Sequence, residues 1–264
     1  MSSITTGDGC RLAFRFDPPS SRPVLVLSNS LGTAMEMWRA QIAAFSAHFR
    51  VLQYDSRGHG RSDAPPGAYS LDRLGRDVLE LMDALEIATT AFCGLSMGGM
   101  VGQWLGWRAP ERIRALALCN TSAFMGPPAS WDERMAAVRA RGMAAIAGSV
   151  AERWFTPTFR TASPDRVAAI SEMFLRTDPG GYIGCCAAIR DMDQRRSVTL
   201  IEAPTLIVAG DQDPATPPEH AEQLAAAIRG SELAVLGAAH LSNVEAPVAF
   251  TEQVLAFLRR ATGN

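Results

Sequence analysis

Short, mostly apolar runs alternate along the chain with stretches whose apolar positions recur every three or four residues. The runs at 24–27, 51–54, 90–92, 114–119, 204–209 and 233–236 predict strands buried on both faces of a parallel sheet. Between them, 71–87 places Leu74, Val78, Leu81, Met82 and Leu85 on one face, which predicts an amphipathic helix. Helical spacing also marks 97–108, 217–229 and 247–260, and a shorter stretch carrying Met37, Trp38, Ile42 and Phe45. Near the start, Asp8–Gly9 and the alternation of Leu12, Phe14 and Phe16 predict a hairpin over 4–17, ended by Pro18, Pro19 and Pro23. The whole reads as an α/β fold with a mostly parallel, eight-stranded sheet flanked by helices.

The pattern changes at Thr121. Helical stretches at 131–141, 143–155, 164–176 and 182–192 follow one another without a strand, with prolines between or beside them. Roughly 70 residues of helix between two strands are far more than a crossover needs. Residues 122–195 are therefore expected to form a helical cap over the carboxyl ends of the strands. Residues 1–121 and 196–264 would form the α/β core.

Chemistry enters at Gly94–Leu95–Ser96–Met97–Gly98, a G-x-S-x-G between a predicted strand and a predicted helix. In that context it reads as a nucleophile elbow with Ser96 at its apex. The turn is sharp enough to strain the Ser96 backbone and expose its hydroxyl, and side chains at 94 or 98 would crowd it. The helix that begins here aims free N–H groups and its positive dipole end at the site, with the Met97 N–H as the nearest oxyanion donor.

Partners for Ser96 are sought at the other carboxyl strand ends, where open parallel sheets bind ligands. Two acids, Asp211 and Asp213, follow the strand at 204–209, and His240 follows the last strand. The chain order nucleophile–acid–histidine suits a triad in which His240 takes and returns the Ser96 proton and an aspartate orients the imidazole. His59 lies in a glycine-rich turn after the strand at 51–54. His48 and His220 fall in helical surface patterns, where no chemistry is expected of them.

Composition narrows the function classes. Hydrophobic residues make up 47% and charged residues 20% of the 264, as in a globular protein. A net charge of −2 indicates no surface for nucleic acid. No apolar run approaches the length of a membrane span, and 1–9 lacks the features of a signal peptide. Five cysteines, Cys10, Cys93, Cys119, Cys185 and Cys186, form no disulfide framework and no zinc spacing, which fits a reducing, cytoplasmic location. No metal or cofactor is expected.

Over its whole length the chain resembles the α/β-hydrolases. More narrowly it is similar to the 3-oxoadipate enol-lactone hydrolases of the β-ketoadipate pathway of aromatic catabolism. The residues that carry the resemblance are 28–33 (S-N-S-L-G-T), 55–60 (D-S-R-G-H-G), 94–99, and in the insertion 131–134, 153–155 and 181–190. The resemblance implies a serine esterase that opens a lactone through an acyl-enzyme, with a small lactone or ester substrate and no cofactor. It implies Asp213 rather than Asp211 as the acid, a structural role for His59, and Leu31 as the second oxyanion donor. The family's loop usually begins His–Gly, and Asn29–Ser30 departs from it. Some members carry the acid where Asn120 stands, and an asparagine cannot replace it. Such a substrate has a free carboxylate, which a buried site would meet with a cation. Arg134, three residues from Trp131 and on the same helix face, is expected to supply it, with Trp131 as an apolar wall; Arg190 and Arg139 are the alternatives. Other capped carboxylesterases, carbon–carbon hydrolases and perhydrolases share these features, as does a triad-bearing ligand receptor.

Overall fold

A computed structural model describes residues 1–263. In chain order the elements are β1 (Ser2–Thr5), β2 (Arg11–Phe16), β3 (Val24–Ser28), α1 (Arg39–Ser46), β4 (Arg50–Tyr54), α2 (Leu71–Ala84), β5 (Thr90–Leu95), α3 (Met97–Arg108) and β6 (Ile113–Cys119). Five helices come next: α4 (Pro128–Arg141), α5 (Ala144–Trp154), α6 (Pro157–Ala162), α7 (Pro164–Leu175) and α8 (Pro179–Asp191). The alternation then resumes with β7 (Thr205–Gly210), α9 (Pro218–Ala227), β8 (Glu232–Leu236), α10 (Ser242–Glu245) and α11 (Pro247–Thr262).

The strands form one sheet in the order β1-β2-β4-β3-β5-β6-β7-β8. β1 and β2 are antiparallel to their neighbours, and every pairing from β4 to β8 is parallel. Every residue of β5 and β7 is buried, which is why these strands read as unbroken apolar runs rather than alternating ones. The helices flank the sheet in two packed groups, α2 with α3 and α1 with α11. No described helix is long and apolar enough to cross a membrane.

Three local departures from the sequence pattern have physical causes. The helix expected over 71–87 stops at Ala84. Glu86 takes a left-handed φ of 55°, and the Ile87 N–H closes onto the Met82 carbonyl at 2.8 Å, turning Ile87 into the core. The short helices α6 and α10 were not foreseen. α6 starts on a proline with the Thr156 hydroxyl accepting from the Phe159 N–H, a local cap too brief to leave a periodicity.

One buried ion cluster ties the amino-terminal hairpin to the sheet and α2. Arg57, 3% exposed, donates to both carboxylate oxygens of Asp77 at 2.6 Å and to Asp8 at 2.9 and 3.2 Å. Asp77 is equally buried, so its charge relies on Arg57 and on Arg73 at 3.2 Å. Removing one partner would strand the other in a low dielectric. Arg57→Met is expected to lower the unfolding free energy by about 3–5 kcal/mol. An accompanying Asp77→Leu should recover a large part, and chemical denaturation of the two variants checks both.

Candidate active site

β5 becomes α3 within one residue. Ser96 takes φ 57° and ψ −114°, a conformation that costs a side-chain-bearing residue energy and is held from both sides. Its N–H donates to the Cys119 carbonyl and its carbonyl accepts from the Thr121 hydroxyl, each at 2.8 Å. The turn demands close approach. A β-carbon on Gly94 would lie 2.1 Å from the Gly98 carbonyl oxygen, and one on Gly98 would lie 2.2 Å from that of Ser28 on β3. Glycine at both positions lets the helix press against its own strand and the neighbouring one.

The Ser96 hydroxyl meets His240, which follows β8, with 2.8 Å between Oγ and Nε2. The Nδ1 of His240 lies 2.8 Å from Oδ2 of Asp213, which follows β7. All three side chains are buried. Burial alone would raise the Asp213 pKa. The facing His240, the Thr216 N–H and the Asn120 amide together outweigh it and hold the carboxyl at about 2. The carboxylate therefore only accepts, Nδ1 must be the donor, and the neutral imidazole leaves Nε2 free to accept from the serine hydroxyl.

Asp213 is locked in place. Oδ1 accepts from the N–H groups of Ala215 and Thr216 at 2.8 and 3.0 Å, and Oδ2 from the Thr216 hydroxyl at 2.7 Å and the Asn120 amide at 3.0 Å. Asn120, at the end of β6, is itself oriented by the Ser242 hydroxyl at 2.5 Å. The asparagine that cannot serve as the acid thus binds the aspartate expected in that role. Asp211 is exposed and accepts from the Ala238 N–H at 3.1 Å, away from the imidazole.

Leu31 borders the same cavity as Ser96, in the loop after β3. Asn29, where the family pattern differs, anchors that loop. Its amide donates to the Tyr54 carbonyl at 2.8 Å, its side-chain oxygen accepts from the Trp38 indole at 2.9 Å, and its carbonyl accepts from the Gly98 N–H at 3.0 Å. Met97 is the first residue of α3, so its N–H has no acceptor within the helix.

Residues of α4, α5 and α8 line, together with this floor, a cavity of about 260 Å³. Trp131 and Arg134 of α4 both line it. The guanidinium of Arg134 sits 5.4 Å from the Trp131 ring centre and donates to the Tyr182 hydroxyl at 3.0 Å. Arg190 instead pairs with Asp132 and Asp191 outside the cavity, and Arg139 is exposed and away from it. Four lining residues were not anticipated from sequence. Arg153 adds a second cation; burial and the positive charge of Arg134 push its pKa down. Among the described residues neither arginine has a carboxylate partner within 4 Å. Trp154 and Tyr182 add aromatic wall, and His220, in the first turn of α9, faces the cavity rather than a bland surface. Their one signal in the sequence was position: 153–155 and 181–190 carry the resemblance, and His220 follows the acid loop directly. Among the described residues no group of three or more His, Cys, Asp or Glu side chains gathers as metal ligands would.

His59 stands behind the Leu31 loop. The Gly32 N–H donates to its Nε2 at 2.8 Å, which leaves Nδ1 as the protonated nitrogen, 3.2 Å from the Arg57 carbonyl. Complete burial lowers its pKa from 6.5 to about 4. Unfolded chains then bind the extra proton first as pH falls, so stability drops between pH 6.5 and 4 and levels off below. The loss attributable to His59 is about 3 kcal/mol. In His59→Gln, denaturation measured across that pH window should show a correspondingly flatter decline.

Comparison with known proteins places the chain in a family. The α/β hydrolase fold family matches residues 23–247. The chain is 44% identical over 241 residues to 3-oxoadipate enol-lactonase 2 of Acinetobacter baylyi, covering 91% of this chain and 90% of that one. Among solved structures, a hydrolase from Pseudomonas aeruginosa superposes with a TM-score of 0.95 at 50% identity, covering 97% of each chain. The enol-lactonase from Burkholderia xenovorans also gives 0.95, at 44% identity, over 97% of this chain and 99% of that one. The chain belongs to the α/β-hydrolase family.

Proposed function

We propose that this protein is a serine hydrolase that opens the ester bond of 3-oxoadipate enol-lactone to give 3-oxoadipate. The observation that carries the reading is the hydrogen-bonded line Ser96–His240–Asp213 on the floor of a cavity whose roof holds Arg134 and Arg153, neither paired with a carboxylate among the described residues. The named relatives at 44% identity support the substrate.

In this reading the Ser96 hydroxyl attacks the lactone carbonyl while His240 Nε2 takes its proton, and Asp213 stabilises the imidazolium. The N–H groups of Leu31 and Met97 hold the oxyanion. Collapse of the tetrahedral intermediate breaks the ring carbon–oxygen bond and expels an enolate, a better leaving group than an alkoxide. The enolate takes that proton back from the His240 imidazolium and settles as the 3-oxo group, which leaves the imidazole neutral again. Water, activated by His240, then cleaves the acyl-serine and releases the acid. Arg134 binds the free carboxylate against the Trp131 wall, with Arg153 as a second positive charge beside it. Residues 122–195 act as a cap that excludes water from the acyl-enzyme. The five cysteines are free and buried, which agrees with a reducing, cytoplasmic location.

Ser96→Ala is expected to abolish turnover, by about 10⁶-fold, of both 3-oxoadipate enol-lactone, followed by loss of ultraviolet absorbance, and p-nitrophenyl acetate. Hydrolysis of the acetate alone by wild type would reject the lactone as substrate. Arg134→Ala should raise KM for the lactone by about 10–100-fold, the loss expected for one charge-assisted hydrogen bond. KM for the uncharged acetate should stay within about twofold; an unchanged lactone KM would exclude Arg134 as the carboxylate partner.

A further inference from the structure

The loop that carries Leu31 is fixed at its start by Asn29, as described above. Its far side is held by residues that take no part in the proton transfers. The Gly32 N–H donates to His59 Nε2, which sets the plane of the Leu31–Gly32 peptide. The Thr177 hydroxyl donates to the Gly32 carbonyl at 3.3 Å, which sets the next peptide. Thr33 N–H returns to the Ser30 carbonyl at 3.1 Å and closes the turn. The Phe174 ring of α7 lies so close that a β-carbon on Gly32, whose φ is 80°, would come within 2.6 Å of it. Leu31 is thus the residue between two anchored peptides.

We propose that His59 is a positioning residue for the oxyanion hole. Its neutral imidazole, donating from Nδ1 to the Arg57 carbonyl and accepting at Nε2 from Gly32, holds the Leu31 N–H at the place where the oxyanion forms. The ring is itself fixed on every side. Its 1% exposure excludes solvent from Nε2. The Cys185 thiol lies 4.0 Å from Nδ1 and 3.6 Å from the Arg57 carbonyl. The Arg57 side chain turns away to Asp77 and Asp8, so no cation of that residue competes for the acceptor. Asp178, at the start of α8, is the acid whose charge reaches the ring. Loss of the acceptor would leave a buried Gly32 N–H unpaired and let its peptide turn, moving Leu31 with it. A ground-state carbonyl is bound weakly by such a donor, whereas an oxyanion is bound strongly. The effect should therefore fall on kcat and not on KM.

The proposal rests on the serine-hydrolase reading, and the test separates the two. Ester hydrolysis that survives Ser96→Ala would overturn that reading whatever His59 does. With Ser96-dependence established, His59→Phe removes the acceptor while keeping a ring. We expect kcat for p-nitrophenyl acetate to fall by about 10–100-fold with KM within about twofold, as for loss or misplacement of one oxyanion donor. The Ki of an alkyl boronic acid, which forms a tetrahedral anion on the serine, should weaken by a similar factor. His59→Gln, whose amide can both accept from Gly32 and donate to Arg57, should recover much of both. A folded His59→Phe with wild-type kcat and boronate affinity, or a fall in kcat with boronate affinity unchanged, would overturn the assignment. If His59→Phe fails to fold, Thr177→Val decides. A smaller but matched loss in kcat and boronate affinity at constant KM upholds the proposal, and wild-type values overturn it.

Discussion

A strand at the centre of the sheet turns into a helix across a single residue, and the rest of the site depends on that turn. Ser96 can hold φ 57° only because Cys119, Thr121 and Asn29 bind the peptides around it, and because Gly94 and Gly98 permit backbone contact, Gly98 with Ser28 of β3, that no side chain there would survive. The strain is offset by hydrogen bonds to the ends of two strands, β3 and β6. In return the hydroxyl stands clear of the sheet beside the positive end of α3.

Around that apex the polar groups are arranged in successive supports. His240 is bound by Asp213, Asp213 by Asn120 and Thr216, and Asn120 by Ser242. Each buried acceptor has its donor, so the carboxylate stays ionised despite its burial. The loop before His240 is also fastened to the insertion. Glu245 accepts from the Ala239 N–H at 3.0 Å and from the backbone and hydroxyl of Thr156, and the Leu241 N–H donates to the Trp154 carbonyl at 3.1 Å. The insertion and the backbone on both sides of His240 are therefore joined by one set of hydrogen bonds.

The cavity divides its labour by height. Its floor carries Leu31, Ser96 and His240, and its roof carries Arg134, Arg153 and aromatic rings. Two guanidinium groups without carboxylate partners, one of them with a depressed pKa, face a cavity that would gain from a bound anion. Arg190 and Arg139, the alternatives to Arg134, point their charges elsewhere.

The sequence by itself determined the order of strands and helices, the long helical insertion, and the three loops after β5, β7 and β8. These are local properties: apolar runs buried on two faces, helical periodicity, and glycines required by a turn. Helices too short to repeat, α6 and α10, and the early end of α2 at Glu86 left no such pattern. Tertiary structure alone decided which aspartate reaches His240, which arginine faces the cavity, and that Asn120 binds Asp213, Glu245 the Ala239 N–H and His59 the Gly32 N–H. Those choices depend on contacts between residues 144, 93 and 89 apart in the chain, as in Ser96–His240, Asn120–Asp213 and Thr156–Glu245. A side chain's partners at such separations are set by how strands are ordered in the sheet, which no local pattern encodes.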